Sequence, residues 1–161
     1  MDYSKIDGLL KAGHWKEADQ ETTSLMLRVV NRGKDGVLNA SSMKNFPCEV
    51  LSQIDHLWMD NSNGKFGFSV QKKIYFETCG GTDDGQFNGK PFVCFSRHIG
   101  WLGITWLNYS NLTFDLKKSL EGELPSLGRL CVSGTHWFRG SRFIDVSFLM
   151  QRLMTCSMSQ P

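Results

Sequence analysis

A chain of 161 residues, 40% of them hydrophobic, is long enough to bury a core of its own. Its net charge of +2 is small, and the Lys and Arg residues are scattered rather than run together, so charge gives no support for a nucleic-acid surface. No charged-then-apolar leader opens the sequence, and no apolar run approaches the roughly 20 residues that span a bilayer.

Ser4-Lys5-Ile6-Asp7 reads as a capped helix start leading into Leu9 and Leu10, and Ala12-Gly13-His14 interrupts it. Trp15, Ala18, Thr22, Leu25, Met26 and Val29 then fall on one face of a longer helix, with Lys16, Glu17, Asp19 and Glu21 expected on the other. The pair resembles a single tetratricopeptide hairpin but has no second copy. Asn31 to Asn45 reads as a loop, with Ser41 or Ser42 the candidate cap of a short helical turn that ends before Phe46-Pro47. Its Val37, Leu38 and Met43 either tuck underneath it or form a finger of an apolar binding surface.

The stretch Phe46 to Tyr75 organises the chain. Leu51, Ile54, Leu57 and Trp58 predict a helix over Cys48 to Met59. Asn61-Ser62-Asn63-Gly64 breaks that pattern, and Phe66-Gly67-Phe68 precedes Ser69, a good N-cap for a helix over 69–78. Two rings separated only by glycine stand where a flat ligand or a packed neighbour meets them. Asp55 and His56 are adjacent, so on a helix they diverge and make no relay.

Cys79 to Gly85 has the composition of a solvated turn; it lacks the GK[ST] of a phosphate loop and the ligand spacing of a calcium loop. A short helix is expected near 91–98, then irregular backbone through Gly100, Trp101, Gly103 and Trp106. Leu112 to Leu116 alternates like a strand, Gly122 to Pro125 reads as a turn, and Phe143 to Met154 as an amphipathic terminal helix with Arg142 and Arg152 outward. The five cysteines, at 48, 79, 94, 131 and 156, form no CxxC or Cys/His cluster, so zinc has no support from the sequence. Reduced thiols in a cytosol-like compartment are the expectation. One domain over residues 1–156, with a loose end at 157–161, completes the organisation.

The blocks Trp15 to Asp19, Phe46-Pro47-Cys48, Ile54-Asp55-His56-Leu57-Trp58 and Phe66-Gly67-Phe68-Ser69-Val70-Gln71 resemble the Genomes Uncoupled Four family. So do Gly100-Trp101, Trp106 to Tyr109 and Leu112 to Leu116, in order over about residues 3–125. The resemblance implies a mainly α fold, a compact bundle of about seven short helices with long loops and little or no sheet. It implies a non-catalytic protein that binds protoporphyrin IX or magnesium-protoporphyrin IX and stimulates magnesium chelatase through its large subunit in chlorophyll synthesis. An open-chain bilin is an alternative ligand, and a pigment-free helical interaction module an alternative role. Plastid stroma or cyanobacterial cytoplasm follows as the setting, with peripheral membrane association through partners.

A porphyrin needs an apolar palm with cations at its rim. Burying roughly 300 Å² of its surface is worth about 7 kcal/mol before losses of freedom, which leaves roughly micromolar affinity. The resemblance and this chemistry together single out Phe66, Phe68, Val70, Leu38, Trp101, Trp106 and Phe114 for the ring face, with core packing the alternative for each aromatic. Arg97 or Arg129 is left to pair with the propionates. His98 or His56 is an axial candidate for magnesium, against a water ligand or an open face. The family pattern has histidine where Glu123 stands here, which puts an anionic group near the expected rim.

Overall fold

The computed structural model describes residues 1–32, 38, 40–82, 89–126 and 141–156, with backbone alone for 40 and 141–147. Among these residues are seven α-helices and no strand: α1 Ser4–Lys11, α2 Trp15–Val29, α3 Ala40–Lys44, α4 Cys48–Ser62, α5 Phe68–Lys73, α6 Gly89–His98 and α7 Ser141–Thr155. A π-helical turn, Ile74–Thr78, extends α5, and a short 3₁₀ turn spans Tyr109–Asn111. The mainly helical expectation holds.

Helices α1 and α2 form the hairpin. Gly13 (φ +72°) sits past the end of α1, where a left-handed residue lets His14 N–H reach back to Leu9 O at 2.9 Å. The first cap differs from expectation. Ser4 is the first helical residue, and its N–H is taken by Asp2 Oδ1 at 2.9 Å. On α2 the apolar stripe packs as its spacing predicts, with Trp15, Trp58 and Phe66 meeting ring to ring at centroid distances of 5.4 to 6.2 Å. Trp58 donates its indole N–H to Thr22 Oγ1 at 3.0 Å, which satisfies both polar groups in the core. Asp19, expected on the solvent face, is buried.

Helix α4 runs one turn beyond Met59, because Ser62 Oγ accepts Phe66 N–H at 2.9 Å and Asn63 (φ +54°) and Gly64 (φ +75°) end it in left-handed conformation. Ser69 is not the cap of the next helix. That helix begins at Phe68 behind Gly67 (φ +133°), and Asp55 Oδ1 on α4 accepts both the N–H (2.9 Å) and the hydroxyl (3.1 Å) of Ser69. The cap comes from the neighbouring helix. The short helical turn expected before Phe46-Pro47 is α3. Leu38 and Met43 are both buried, so of the two roles open to them they take the tucked one, and Val37 lies outside the described residues.

Residues 112–116 are not a strand. Asp115 Oδ1 accepts the N–H groups of Lys117 (2.8 Å) and Lys118 (3.1 Å), and Ser119 Oγ donates to Thr113 O at 2.6 Å, so side chains close the segment into a tight loop. Helix α7 packs on α3, α4 and α5. Arg152, expected outward, is half-buried and donates Nε–H to Phe46 O at 2.7 Å. The side chain of Arg142 and residues 157–161 lie outside the described residues.

The cysteines are not all reduced. Cys48 bonds Cys156 and Cys79 bonds Cys94, at sequence separations of 108 and 15. Packing of α7 on α4, and of the π turn on α6, brings together thiols whose sequence spacing carries no signal. Cys131 lies outside the described residues.

Candidate functional site

The FGFSVQ block serves mainly to anchor. Phe66 and Phe68 are wholly enclosed and Val70 nearly so; Gly67 is the one residue type that tolerates its backbone angle, with Asp55 Oδ1 only 2.7 Å from where a Cβ would stand. Gln71 is buried and donates its amide to Gly122 O (2.9 Å) and Pro125 O (2.8 Å). Gly67 N–H to Leu124 O (3.0 Å) and Gly122 N–H to Lys65 O (2.9 Å) complete a ladder between this block and the turn at 122–126.

That turn is held from two further sides. Asp19 of α2 accepts Ser126 N–H, the Ser126 hydroxyl at 2.8 Å and the Tyr109 hydroxyl at 3.0 Å. Burial, then the Asp19 charge, pushes the Tyr109 hydroxyl well above the ordinary tyrosine range. Glu123 accepts Thr113 N–H at 2.7 Å and Leu120 N–H at 3.1 Å, while its carbonyl takes the indole N–H of Trp101 at 2.9 Å. The carboxyl expected near a rim is therefore buried and fully engaged in holding loop backbone; burial raises its pKa, opposed by those amide bonds. Asp55 is raised for the same leading reason, opposed by the Ser69 and Phe68 bonds.

What this frame presents to solvent is the segment 102–111, flanked by the buried Ile99, Trp101 and Leu112. Trp101 N–H and Leu102 N–H both bond Ser96 O (2.8 and 3.0 Å), Leu107 N–H bonds Trp101 O (3.1 Å), and an isolated antiparallel bridge joins Leu102 to Trp106. The resulting loop carries Ile104 fully exposed at its tip. Trp106 is half-buried and stacks on Phe92 of α6 at 5.8 Å and 28°. Behind it Phe92, Phe95, Trp101 and Tyr75 form a connected run of rings, with Phe95 to Trp101 at 5.8 Å and Phe95 to Tyr75 at 5.7 Å. Farther along, Phe114 meets Tyr109 edge-on at 5.2 Å, and Lys16 Nζ stands 5.7 Å from the Phe114 ring.

The nine residues singled out from sequence thus separate. Trp101 and Trp106 share one aromatic run; Phe66 sits in the Trp15–Trp58 cluster; Leu38, Phe68 and Val70 are core. Phe114 is half-exposed beside Tyr109, Arg97 is exposed in the last turn of α6, and Arg129 lies outside the described residues. His56 is exposed on α4. Sequence reasoning missed Ile104, whose exposure follows from glycine and polar neighbours, and the buried polar set of Asp19, Gln71 and Glu123. It also missed a Cys/His grouping. The sulfur atoms of Cys79 and Cys94 each lie 3.7 Å from His98 Nδ1.

A family profile described as GUN4-like matches residues 1–140. The chain belongs to the GUN4-like family. Among its relatives are the chloroplastic "Tetrapyrrole-binding protein" of Arabidopsis thaliana, 28% identical over 99% of this chain and 54% of that protein, and a "Ycf53-like protein" of Synechocystis, 29% identical over 81% of this chain and 53% of that one. This GUN4-like chain spans about half the length of these curated relatives. Its fold is similar to the ligand-free structure of Arabidopsis thaliana GUN4 (TM-score 0.66, 22% identity, 92% of this chain and 94% of that one) and to GUN4 of Chlamydomonas reinhardtii (TM-score 0.69, 21% identity, 92% and 87%).

Proposed function

We propose that this chain is a non-catalytic tetrapyrrole-binding protein that holds protoporphyrin IX or magnesium-protoporphyrin IX and stimulates magnesium chelatase, in a plastid or a cyanobacterial cell. The observation that carries the reading is membership of the GUN4-like family, whose Arabidopsis relative is named a tetrapyrrole-binding protein. The geometry supports it through an apolar loop tip, Ile104, beside the Trp106–Phe92 stack, with α6 and the polar ladder fixing the loop from behind. A flat macrocycle would lie against Ile104, Trp106 and Phe114, and Arg97 or Arg129 would meet its carboxylates. Phe66, Phe68, Val70 and Leu38 act by shaping that surface from within. A carrier role also fits Cys48, the one cysteine near His56 in sequence, being bonded to Cys156 rather than free as a nucleophile.

Titrating the chain with deuteroporphyrin and following tryptophan quenching tests the reading. Saturable quenching at roughly micromolar ligand is expected. Replacing Ile104→Asp removes an apolar contact worth about 1.5 kcal/mol or more and weakens binding about tenfold. No quenching at ligand concentrations of about 50 μM, far above that range, would sink the proposal. Addition of the saturated chain to magnesium chelatase then reads the partner directly, with a rise in magnesium-protoporphyrin output expected.

A further inference from the structure

Cys94 and His98 are four residues apart on α6, so they project from one face a single turn apart, and Cys79 at the end of the π turn meets them across the gap. One ligand atom from each lies within 4.8 Å of the others, and His98 Nδ1 stands 3.7 Å from both sulfurs and 3.1 Å from Cys94 O. A tetrahedral zinc site with Zn–S near 2.3 Å and Zn–N near 2.05 Å has S–N edges of about 3.6 Å. The histidine is therefore already at coordination range. Both cysteines are half-buried and His98 is exposed, so an ion can enter from solvent and keep a water as its fourth ligand.

We propose that Cys79, Cys94 and His98 form a reduction-gated site for a thiophilic divalent cation of the zinc class. With the Cys79–Cys94 bond intact, the sulfurs have no thiolate to offer and the site is closed. A vicinal dithiol opens it: the protein S–S bond breaks, the reductant closes its own S–S bond, and two electrons and two protons pass to the two sulfurs. Metal binding then displaces both thiol protons to solvent. His98 contributes the Nδ1 lone pair with its proton on Nε2, so it gives up any hydrogen bond to Cys94 O. Two thiolates neutralise the dication, so the site needs no further charged neighbour.

Cobalt(II) is the probe, added to the whole chain in a Cys131→Ser background before and after treatment with dithiothreitol and anaerobic desalting. One equivalent bound with sulfur-to-cobalt charge-transfer absorption is expected in the reduced chain only, and zinc should displace it. The signal should survive Cys48→Ser/Cys156→Ser, vanish in Cys79→Ser/Cys94→Ser, and weaken at least about tenfold in His98→Ala, since even an outer-shell change costs that much. Should reduction loosen the fold, recovery of helical circular dichroism on adding zinc supports the site. Equal binding by the oxidised chain, persistence of the signal in Cys79→Ser/Cys94→Ser, or a reduced chain that neither binds cobalt nor recovers structure with zinc overturns it.

Discussion

Gly67 shows how much a single residue can decide in this chain. Its φ of +133° is open only to glycine, and an added Cβ would come within 2.7 Å of Asp55 Oδ1 and 3.1 Å of Met59 Cγ. Gly67→Ala should therefore destabilise by about 2–4 kcal/mol, read as a shift in the urea midpoint at constant slope; an unchanged midpoint would refute the argument. Glu123 makes the second prediction at this scale. Burial raises its folded pKa above its unfolded value, so the folded state binds more protons in the window between the ordinary glutamate value of about 4.3 and the raised one. Stability from this group is fully present below that window and is lost as pH rises through the folded pKa. Glu123→Gln should therefore make the slope of stability against pH less negative just above about 4.3 while lowering stability throughout. Asp55 acts in the same sense as Glu123, and Glu21, whose pKa is lowered, against it, in both proteins alike. Glutamine keeps one acceptor and turns an N–H₂ toward an amide, so it cannot hold both Thr113 and Leu120. Identical slopes for variant and wild type would disprove the assignment. Neither residue's role was legible in sequence. A glycine between two phenylalanines announces a turn, but the carboxylate it must avoid sits on another helix, and Glu123 reads as exposed because charge usually is.

At the scale of elements, most helices were legible and most of what joins them was not. The Trp15 stripe and the Leu51–Trp58 spacing locate α2 and α4 because burial on one face imposes a period. The expected strand at 112–116 failed because alternation of apolar residues is equally satisfied by a loop whose Asp115 and Ser119 bond its own backbone. The disulfide between Cys48 and Cys156 joins the start of α4 to the residue after α7, across 108 positions, and no local pattern encodes it. With Arg152 bonded to Phe46 O, it fastens α7 to the body of the protein. Cys156→Ser should lower stability by about 2–4 kcal/mol, the usual effect of opening a long covalent loop. Denaturation with and without reductant checks this: the wild type should lose at least that much on reduction, and a reductant-insensitive midpoint would count against the bond.

Over the whole molecule the polar ladder and the apolar surface divide the labour. Asp19, Gln71, Gly67 and Lys65 hold the 122–126 turn from three elements, that turn holds Trp101 and Thr113, and the loop bearing Ile104 and Trp106, where the proposed ligand would lie, is thereby anchored on both flanks. A prearranged surface loses less freedom on binding, which favours affinity without new contacts. Ligand binding to the folded state alone must then raise thermal stability. At a free tetrapyrrole concentration near 100 times the dissociation constant the gain is about 2.7 kcal/mol, or about 8 °C for a chain of this length. The division of labour predicts which substitutions change what. Trp106→Ala should leave the unliganded melting temperature within about 3 °C while abolishing most of the ligand shift, because the ring is half-exposed and Phe92, on which it stacks, stays packed. Phe66→Leu should lower the unliganded value by about 3–5 °C, the effect of an imperfect core swap, yet keep the full shift, because Phe66 meets Trp15 and Trp58 rather than solvent. Thermal scans of the three proteins with and without deuteroporphyrin decide the matter. A shift lost in Phe66→Leu but retained in Trp106→Ala would return the ligand to the FGFSVQ block and remove it from the loop.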